Sequence, residues 1–323
     1  MAASDWDAFW RNAGLAKAQK DSGPQDAALK RFWFRFFKQV NADFRTHSTM
    51  LDIACGSGAV MRHVLASLQE SESYTEPQIF GLDTSSTALL GIRERHPGIQ
   101  CIVASADSLP FHDRAFDLVT SQFGIEYAGM VAMHEAARVV RPGGIIAAVM
   151  HLRNGAIYNE CAVNLDAING IRQSGILHCF EAIFRTAQAV MHKQAGADRF
   201  RQADRDFGAS VAVAEQVLQK WGKGVADGML FRIYNDIAHM YKRYNHYDPE
   251  EVFKWIRTMC NELDTYAGRM TSMLKAALDE ATMDLVIREL AERKFTIRLH
   301  EQLIFENSPI PAAWALVGDK TAS

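Results

Sequence analysis

Short apolar runs alternate with amphipathic helical stretches between Thr49 and Val149, and this alternation predicts a parallel sheet built from strand–helix–strand units. The inner runs lack a strict apolar–polar alternation, as expected of strands that are buried on both faces. We therefore predict an α/β fold with a doubly wound, mostly parallel sheet. The five runs predicted to be strands are MLDIA, QIFGLD, QCIVAS, FDLVTSQ and GIIAAVM.

The pattern changes after the fifth predicted strand, where long helical stretches replace strands over residues 153–278. An amphipathic helix from Asp279 then precedes FTIRLHEQLIF and AAWALVGDK, which read as two further strands. We therefore predict a seven-stranded sheet with a large helical insertion after strand 5. The predicted divisions are an N-terminal helical segment at 1–47 and an α/β core at 48–152 and 279–323.

Aromatic residues are frequent in the N-terminal segment, and Trp6, Phe9 and Trp10 can share one helical face. Such a face either packs into the core or covers a ligand, and the sequence leaves both roles open. In the insertion, Met, Tyr, Trp and Phe at helical spacing indicate core packing. We expect the insertion to act as a helical lid over the substrate, and to supply a homodimer contact.

Composition excludes several classes of protein. The chain has 323 residues, of which 48% are hydrophobic and 23% charged, so it is neither disordered nor collagen-like. Its 35 basic and 38 acidic side chains give a formal charge of −3, so we expect no nucleic-acid partner. Five cysteines without a C-x-x-C pair argue against a zinc or disulfide scaffold, and we expect no metal site.

The N-terminus carries acidic residues where a signal peptide needs positive charge. No apolar run approaches the roughly 20 residues that a membrane-spanning helix requires. We therefore expect a cytoplasmic location and no stable insertion into a membrane.

The segment MLDIACGSGAV places a glycine-rich turn between the first predicted strand and the following helix. Gly56 and Gly58 allow a tight turn and the close approach of a ligand, and the helix beyond offers free N–H groups. A phosphate-binding loop is excluded because no lysine stands at the required spacing, and the G-x-G-x-x-G fingerprint of dinucleotide sites is incomplete. Asp52, two residues before the turn, is placed to face the ammonium group of a ligand.

Acidic residues also follow the next two predicted strands. Asp83 in GLDTS can accept hydrogen bonds from both ribose hydroxyls of an adenosine cofactor, or it can cap the helix that starts near Ser85. Asp107 in ASADSLPF can accept a hydrogen bond from an adenine amine, or it can be a turn residue. The sequence leaves these alternatives open.

Five segments together resemble, in order and spacing, the class I S-adenosylmethionine-dependent methyltransferases. They are LDIACGSG, GLDTS, ASADSLPF, AFDLVTSQFGIEY and RVVRPGGII. The likeness is to the type 11 branch, which includes the quinone-biosynthesis methyltransferases. It covers about residues 45–152 and resumes from about 280, where AAWALVGDK resembles the last, antiparallel strand of that Rossmann-like fold. Ala54 departs from the general pattern, which has glycine there, although alanine before C-G-x-G also occurs in this branch.

The resemblance implies S-adenosylmethionine as the cofactor. Asp52 and the turn would hold its methionyl portion, Asp83 its ribose, and Thr84 and Asp107 its adenine, while Gln122 would lie at the methyl end. The full set of implied cofactor-binding residues is Asp52, Ala54, Cys55, Gly56, Gly58, Asp83, Thr84, Ala106, Asp107, Gln122 and Phe123.

The predicted function is methyl transfer to O, N or C of a small organic acceptor, by in-line displacement in a closed pocket. A general base is needed only where the acceptor is weakly acidic. Glu126, Tyr127 and His151 follow the fourth and fifth strands and are the candidates, although His151 can equally be a structural group. The alternatives are a non-catalytic S-adenosylmethionine-binding or assembly protein, an enzyme of this fold that modifies tRNA, and an NAD-dependent oxidoreductase.

Overall fold

The chain forms two compact units in the computed structural model. The first comprises Met1–Asn159 and Ser272–Ser323, and the second is Glu160–Thr271. The N-terminal helical segment predicted for residues 1–47 is described only in part. The residues that the structure describes are 6–7, 9–10, 24–40, 48–69, 77–306 and 308–322.

Seven strands form a single sheet in the first unit. They are β1 (Thr49–Ile53), β2 (Gln78–Asp83), β3 (Gln100–Val103), β4 (Phe116–Gln122), β5 (Val140–His151), β6 (Phe295–Ile304) and β7 (Pro311–Lys320). Their order is β3-β2-β1-β4-β5-β7-β6. Strands β1 to β5 are parallel, and β7 lies antiparallel between β5 and β6. The predicted doubly wound, seven-stranded sheet is therefore confirmed.

Ten α-helices lie within the described residues from 24 to 322. They are α1 (Pro24–Val40), α2 (Ala59–Gln69), α3 (Ser86–Arg95), α4 (Gly129–Val139), α5 (Ala156–Ser174), α6 (Ile176–Met191), α7 (Ala197–Trp221), α8 (Met229–Lys242), α9 (Pro249–Ala276) and α10 (Glu280–Glu292). Side chains of the preceding residues fix two of the starts. The Ser85 hydroxyl caps α3 by accepting from the N–H of Ala88, and Asp279 caps α10 by accepting from the N–H of Thr282.

The core of the first unit is built from the apolar strands and from helices that pack against them. Leu51, Ile53 and Val119 of the central strands are almost fully buried, and Met283 and Leu290 of α10 belong to the same buried cluster. This burial explains why the inner strands lack alternation: both of their faces are covered.

The second unit is helical, and none of its residues, all of which are described, lies in a strand. Phe180, Phe184, Phe207 and Phe253 are buried, and the Phe180 and Phe184 rings lie 5.9 Å apart. These aromatic side chains, which sit at helical spacing in the sequence, therefore pack inside the unit. No helix in the described part of the chain is both long enough and apolar enough to cross a membrane.

Candidate active site

A cavity of about 480 Å³ lies in the first unit at the carboxyl ends of the parallel strands. Strand β1 lies between β2 and β4, so the connections run to one side of β1 toward β3 and to the other side toward β5. Open α/β sheets bind ligands at the point where the strand order changes direction in this way, and the cavity lies there. The volume is typical of small-molecule sites. Among the residues predicted from the sequence, those that line it are Ala54, Cys55, Gly56, Asp83, Thr84, Ala106, Asp107, Gln122, Phe123, Tyr127 and His151.

The glycine-rich turn forms the floor of the cavity between β1 and α2. Gly56 and Gly58 have φ angles of 51° and 83°, in the left-handed region that glycine tolerates. Ala54, the position that departs from the family pattern, also has a positive φ of 52°, which costs about 1–2 kcal/mol for a residue with a Cβ. Gly58 lies behind the lining, where its N–H donates to the carbonyl oxygen of Cys55 at 2.8 Å.

Asp83 connects the end of β2 to the glycine turn. Its Oδ2 accepts from the N–H of Gly56 and its Oδ1 from the N–H of Ser85, both at 2.8 Å. Burial raises the pKa of the Asp83 carboxyl, and these two hydrogen bonds act in the opposite direction. Because Ser85 itself caps α3, the helix-capping alternative for Asp83 is not needed, and the carboxylate faces the cavity.

Residues near the N-terminus also line the cavity. The rings of Trp6, Phe9 and Trp10 pack edge to face, and Trp6 contacts the ring of Tyr127 with centroids 5.5 Å apart. A Cβ added to Gly56 would lie 2.8 Å from the Trp10 indole, so glycine is what allows this close packing. The sequence left open whether these aromatic side chains pack into the core or cover a ligand. In the structure they form part of the cavity wall.

An acidic side chain anchors this N-terminal segment. Oδ1 of Asp7 accepts from the hydroxyl of Ser85 at 2.8 Å and from the N–H of Thr87 at 3.3 Å. A carboxylate at the first turn of α3 is stabilised by the free N–H groups there. Sequence reasoning missed Asp7 because its partners are about 80 residues away and no local motif connects them.

Asp52 lies beneath the turn and does not line the cavity. Its Oδ1 accepts from the hydroxyl of Thr120 at 2.9 Å, while Oδ2 is buried and has no hydrogen-bond partner among the described residues. Burial, with a smaller contribution from the charge of Asp83, raises the pKa of Asp52 to about 8. An unpartnered, buried carboxyl of this kind is stabilised in its charged form by a nearby cation.

A short helical turn at the end of β4 brings Glu126 and Tyr127 to the site. It spans Ile125–Ala128 and starts where the N–H of Ile125 donates to the hydroxyl of Ser121 at 3.1 Å. Phe123 immediately before it has a φ of 53°, so the chain changes direction there at some cost in strain.

Glu126 and His151 form a hydrogen-bonded pair. Nδ1 of His151 lies 2.6 Å from Oε1 of Glu126, which also accepts from the backbone N–H of His151 at 3.0 Å. Glu126 lies behind His151, and only His151 lines the cavity. The ring of Phe123 packs on the imidazole at 4.5 Å. Because Nδ1 is bound to a carboxylate, Nε2 is the ring nitrogen that is available to a ligand. The carboxylate favours the tautomer in which Nδ1 carries the proton and Nε2 can accept one.

Gln122 is held by a residue that the sequence analysis did not single out as part of the site. The indole N–H of Trp33 in α1 donates to Oε1 of Gln122 at 2.6 Å. Trp33 is completely buried. The two partners are 89 positions apart in the sequence, and no motif connects them.

The charges around the cavity favour a cationic ligand. Asp83 and Asp107 line it, Glu126 lies just behind, and no lysine or arginine occurs among the described lining residues. An adenosyl sulfonium, with a positive sulfur, an ammonium group and a ribose, therefore fits these residues by charge and by hydrogen-bonding capacity. Across the described ranges, no group of three or more His, Cys, Asp or Glu side chains is arranged to hold a metal ion.

Residues 51–148 match the methyltransferase domain family. All five motifs that carry the resemblance lie within these residues, so the resemblance deduced from the sequence is confirmed. S-adenosylmethionine is the cofactor that this family implies.

Three relatives illustrate how far the similarity extends. An uncharacterized methyltransferase of Schizosaccharomyces pombe is 28% identical over 147 residues, 44% of this chain and 54% of that protein. A mitochondrial arginine-hydroxylase of Danio rerio is 25% identical over 43% of this chain and 42% of its own length. A ubiquinone/menaquinone biosynthesis C-methyltransferase of Campylobacter jejuni is 34% identical over 29% of this chain and 41% of its own length. The chain thus spans about half the length of the curated relatives it matches.

Proposed function

Because this chain carries an S-adenosylmethionine-dependent methyltransferase domain at residues 51–148, we propose that it transfers the methyl group of that cofactor to a small organic acceptor inside the cavity of the first unit. The observation that carries the proposal is the convergence of residues from four of the five motifs on one cavity. The cavity also contains a histidine paired with a buried carboxylate, which is a suitable base for an acceptor proton.

The glycine turn and Asp83 would hold the cofactor. Asp83 ties the turn to β2 through the N–H of Gly56 and keeps lone pairs that can accept from ribose hydroxyls. Asp107, which is exposed at the cavity, can accept from the adenine amine. Bound S-adenosylmethionine supplies an electrophilic methyl group on a positively charged sulfur. The acidic side chains around the cavity stabilise that charge, and the aromatic side chains reduce the access of water.

His151 would accept the proton of an O–H, N–H or activated C–H group through Nε2. Glu126 would hold the ring by its Nδ1–H and stabilise the positive charge that the imidazole acquires. Tyr127, the third candidate from the sequence, contacts the His151 ring edge to face at 5.8 Å, so its proposed role is to position the imidazole and line the acceptor end.

The composition of the cavity wall supports a largely apolar acceptor that carries no phosphate or other polyanionic group. Aromatic rings of Trp6, Phe9, Trp10, Phe123 and Tyr127 line it, and no described lining residue provides the positive charge that a phosphorylated or polyanionic acceptor requires. This argues against RNA as the acceptor, in agreement with the formal charge of −3. The accepting atom stays open among O, N and C.

Besides the roles of the site residues and the small acceptor, four expectations from the sequence stay predictions. These are the domain boundaries, the role of residues 153–278 as a helical lid, a homodimer contact through the same residues, and a cytoplasmic location. Deleting residues 156–278 and measuring the affinity for S-adenosylmethionine tests the lid. A lid predicts a folded protein with an altered affinity, whereas global unfolding shows that the insertion is needed for the core.

Binding and turnover separate the proposed function from its alternatives. Calorimetry should detect S-adenosylmethionine and S-adenosylhomocysteine, and incubation with methyl-labelled cofactor and a panel of phenols, carboxylic acids and amines should yield labelled product. Binding without turnover on any acceptor would favour the non-catalytic alternative. Folded protein that binds neither compound, while binding NAD, would overturn the assignment.

A further inference from the structure

The hydrogen bond between Trp33 and Gln122 fixes the orientation of an amide in the cavity wall. An indole N–H can only donate, so the atom of Gln122 that faces it at 2.6 Å must be the amide oxygen. The amide nitrogen, with its two N–H donors, then points away from Trp33. Because Gln122 lines the cavity, this nitrogen is the part of the side chain that is available to a ligand.

Trp33 is itself held rigidly in α1. Its ring is completely buried, stacks on Phe37 at 5.6 Å and contacts Phe36 edge to face at 5.8 Å. A tryptophan with this packing cannot rotate away without opening the interior. The orientation of the Gln122 amide is thus set before any ligand arrives, which reduces the entropy lost on binding.

The cavity needs such donors because its wall has no cationic side chain among the described residues. S-adenosylmethionine ends in an amino acid, and the carboxylate of that end requires N–H or O–H donors. No described lining residue is a lysine or an arginine, and Gln122 is the only asparagine or glutamine among them. Gln122 also ends β4 two residues after Thr120, the partner of Asp52, on the strand that neighbours the glycine turn. The amide therefore lies near the part of the site implied for the methionyl portion.

We propose that Trp33 is a positioning residue, which locks the Gln122 amide so that its N–H groups bind the carboxylate of the methyl donor. This inference rests on the proposed function, because it presupposes S-adenosylmethionine in the cavity. Trp33 lies outside the matched methyltransferase domain, so the N-terminal helix supplies a determinant of cofactor affinity that the domain itself lacks.

The test compares two ligands that differ only at the amino-acid end. S-adenosylhomocysteine carries the carboxylate, whereas 5′-methylthioadenosine keeps the adenosine and the sulfur but has no amino-acid group. Trp33→Phe keeps an aromatic ring and removes the N–H, so we expect about 10-fold weaker calorimetric binding of S-adenosylhomocysteine, with unchanged binding of 5′-methylthioadenosine. Gln122→Glu retains an acceptor for Trp33 but turns a negative oxygen toward the ligand. It should therefore weaken the binding of S-adenosylhomocysteine by more than Trp33→Phe does.

A double-mutant cycle separates positioning from a merely structural effect. In a Gln122→Met background there is no amide to orient, so adding Trp33→Phe should change the affinity for S-adenosylhomocysteine by less than about 2-fold. Val40→Ala is the control, because Val40 is buried in the same helix and makes no hydrogen bond to Gln122; it should lower the melting temperature without changing either affinity.

The inference is overturned if Trp33→Phe leaves the binding of S-adenosylhomocysteine unchanged, or if it weakens the binding of both ligands equally. It is also overturned if the effect of Trp33→Phe on binding persists in full in the Gln122→Met background. Failure of the proposed function looks different, because the wild-type protein would then bind neither ligand, or would bind both without turnover on any acceptor.

Discussion

Oε1 of Glu126 accepts two hydrogen bonds from one residue, His151, at 2.6 Å from Nδ1 of its ring and at 3.0 Å from its backbone N–H. The carboxylate therefore fixes both the ring and the strand end that carries it. The pair is buried, and its imidazole faces the same cavity as the glycine turn. This arrangement provides an oriented imidazole beside the candidate cofactor site, and it makes the proposed contribution of each partner measurable.

Replacing His151 by Asn should lower the turnover number about 100-fold or more, because the group that accepts the proton is lost. Glu126→Gln should cause a smaller loss, since the ring keeps an acceptor at Nδ1 but loses the stabilising charge. The affinity for S-adenosylhomocysteine should stay within about 3-fold of wild type, as neither residue is assigned to the cofactor. His300→Asn, at an exposed histidine of β6, is the control. Unchanged turnover in His151→Asn would show that the acceptor needs no base from this pair.

Replacing Asp83 by Asn should weaken S-adenosylmethionine binding by at least about 10-fold and lower stability by about 1–3 kcal/mol. The carboxylate accepts from two backbone N–H groups, at Gly56 and Ser85, and an amide has only one oxygen for both. One N–H therefore loses its partner. Calorimetry and thermal unfolding measure the two effects, and Asp284→Asn on the exposed surface of α10 serves for comparison. An Asp83→Asn protein with wild-type affinity would remove Asp83 from the ribose site.

The buried carboxyl of Asp52 should make the ligand-free protein less stable as pH rises. Its folded pKa is about 8, against 3.8 for an ordinary Asp, so the folded state binds more protons than the unfolded state between these values. The free energy of unfolding should therefore fall across this window. In Asp52→Asn this fall should be smaller, so the variant gains stability relative to wild type from pH 5 to pH 8. Denaturant unfolding at several pH values provides the test, and parallel curves for the two proteins would contradict it.

Adding a methyl group at Gly124 should push apart the glycine-rich turn after β1 and the turn after β4 that carries Glu126. A Cβ there would lie 2.5 Å from the Cβ of Ala54 and 2.9 Å from its carbonyl oxygen. Gly124→Ala should therefore cost about 1–3 kcal/mol of stability and weaken S-adenosylhomocysteine binding, because the turn that carries Glu126 must move. Gly98→Ala is the matched control, since no atom lies within 4 Å of its added Cβ. Equal stabilities of the two variants would show that the turns are not in tight contact.

Much of the cofactor side of the site could be predicted because it follows from local sequence and one rule of topology. Gly56 follows the first predicted strand and Asp83 ends the second, and parallel neighbouring strands bring their carboxyl ends to one edge. Glu126 and His151 were also found this way, as separate candidates. Their pairing could not be predicted, because it depends on how the turn after β4 folds back onto the end of β5.

The contributions from the N-terminal part of the chain could not be derived from any motif. Trp33 and Asp7 reach partners about 80 to 90 residues away. An aromatic run predicts burial but does not identify its neighbours. For Asp52 the motif gave a wrong position. It indicated an acid that faces the ligand, whereas the structure places the side chain beneath the turn, hydrogen-bonded to Thr120.

The place of β7 in the sheet has a consequence for the order of folding. Residue His151 is paired with Ala313, so the strand that presents the imidazole gains its second neighbour from a segment more than 150 residues later. During synthesis on the ribosome, β5 therefore stays an open sheet edge while the intervening chain emerges. Closing a loop of that length is slow, so the part of the site beside His151 is expected to mature last.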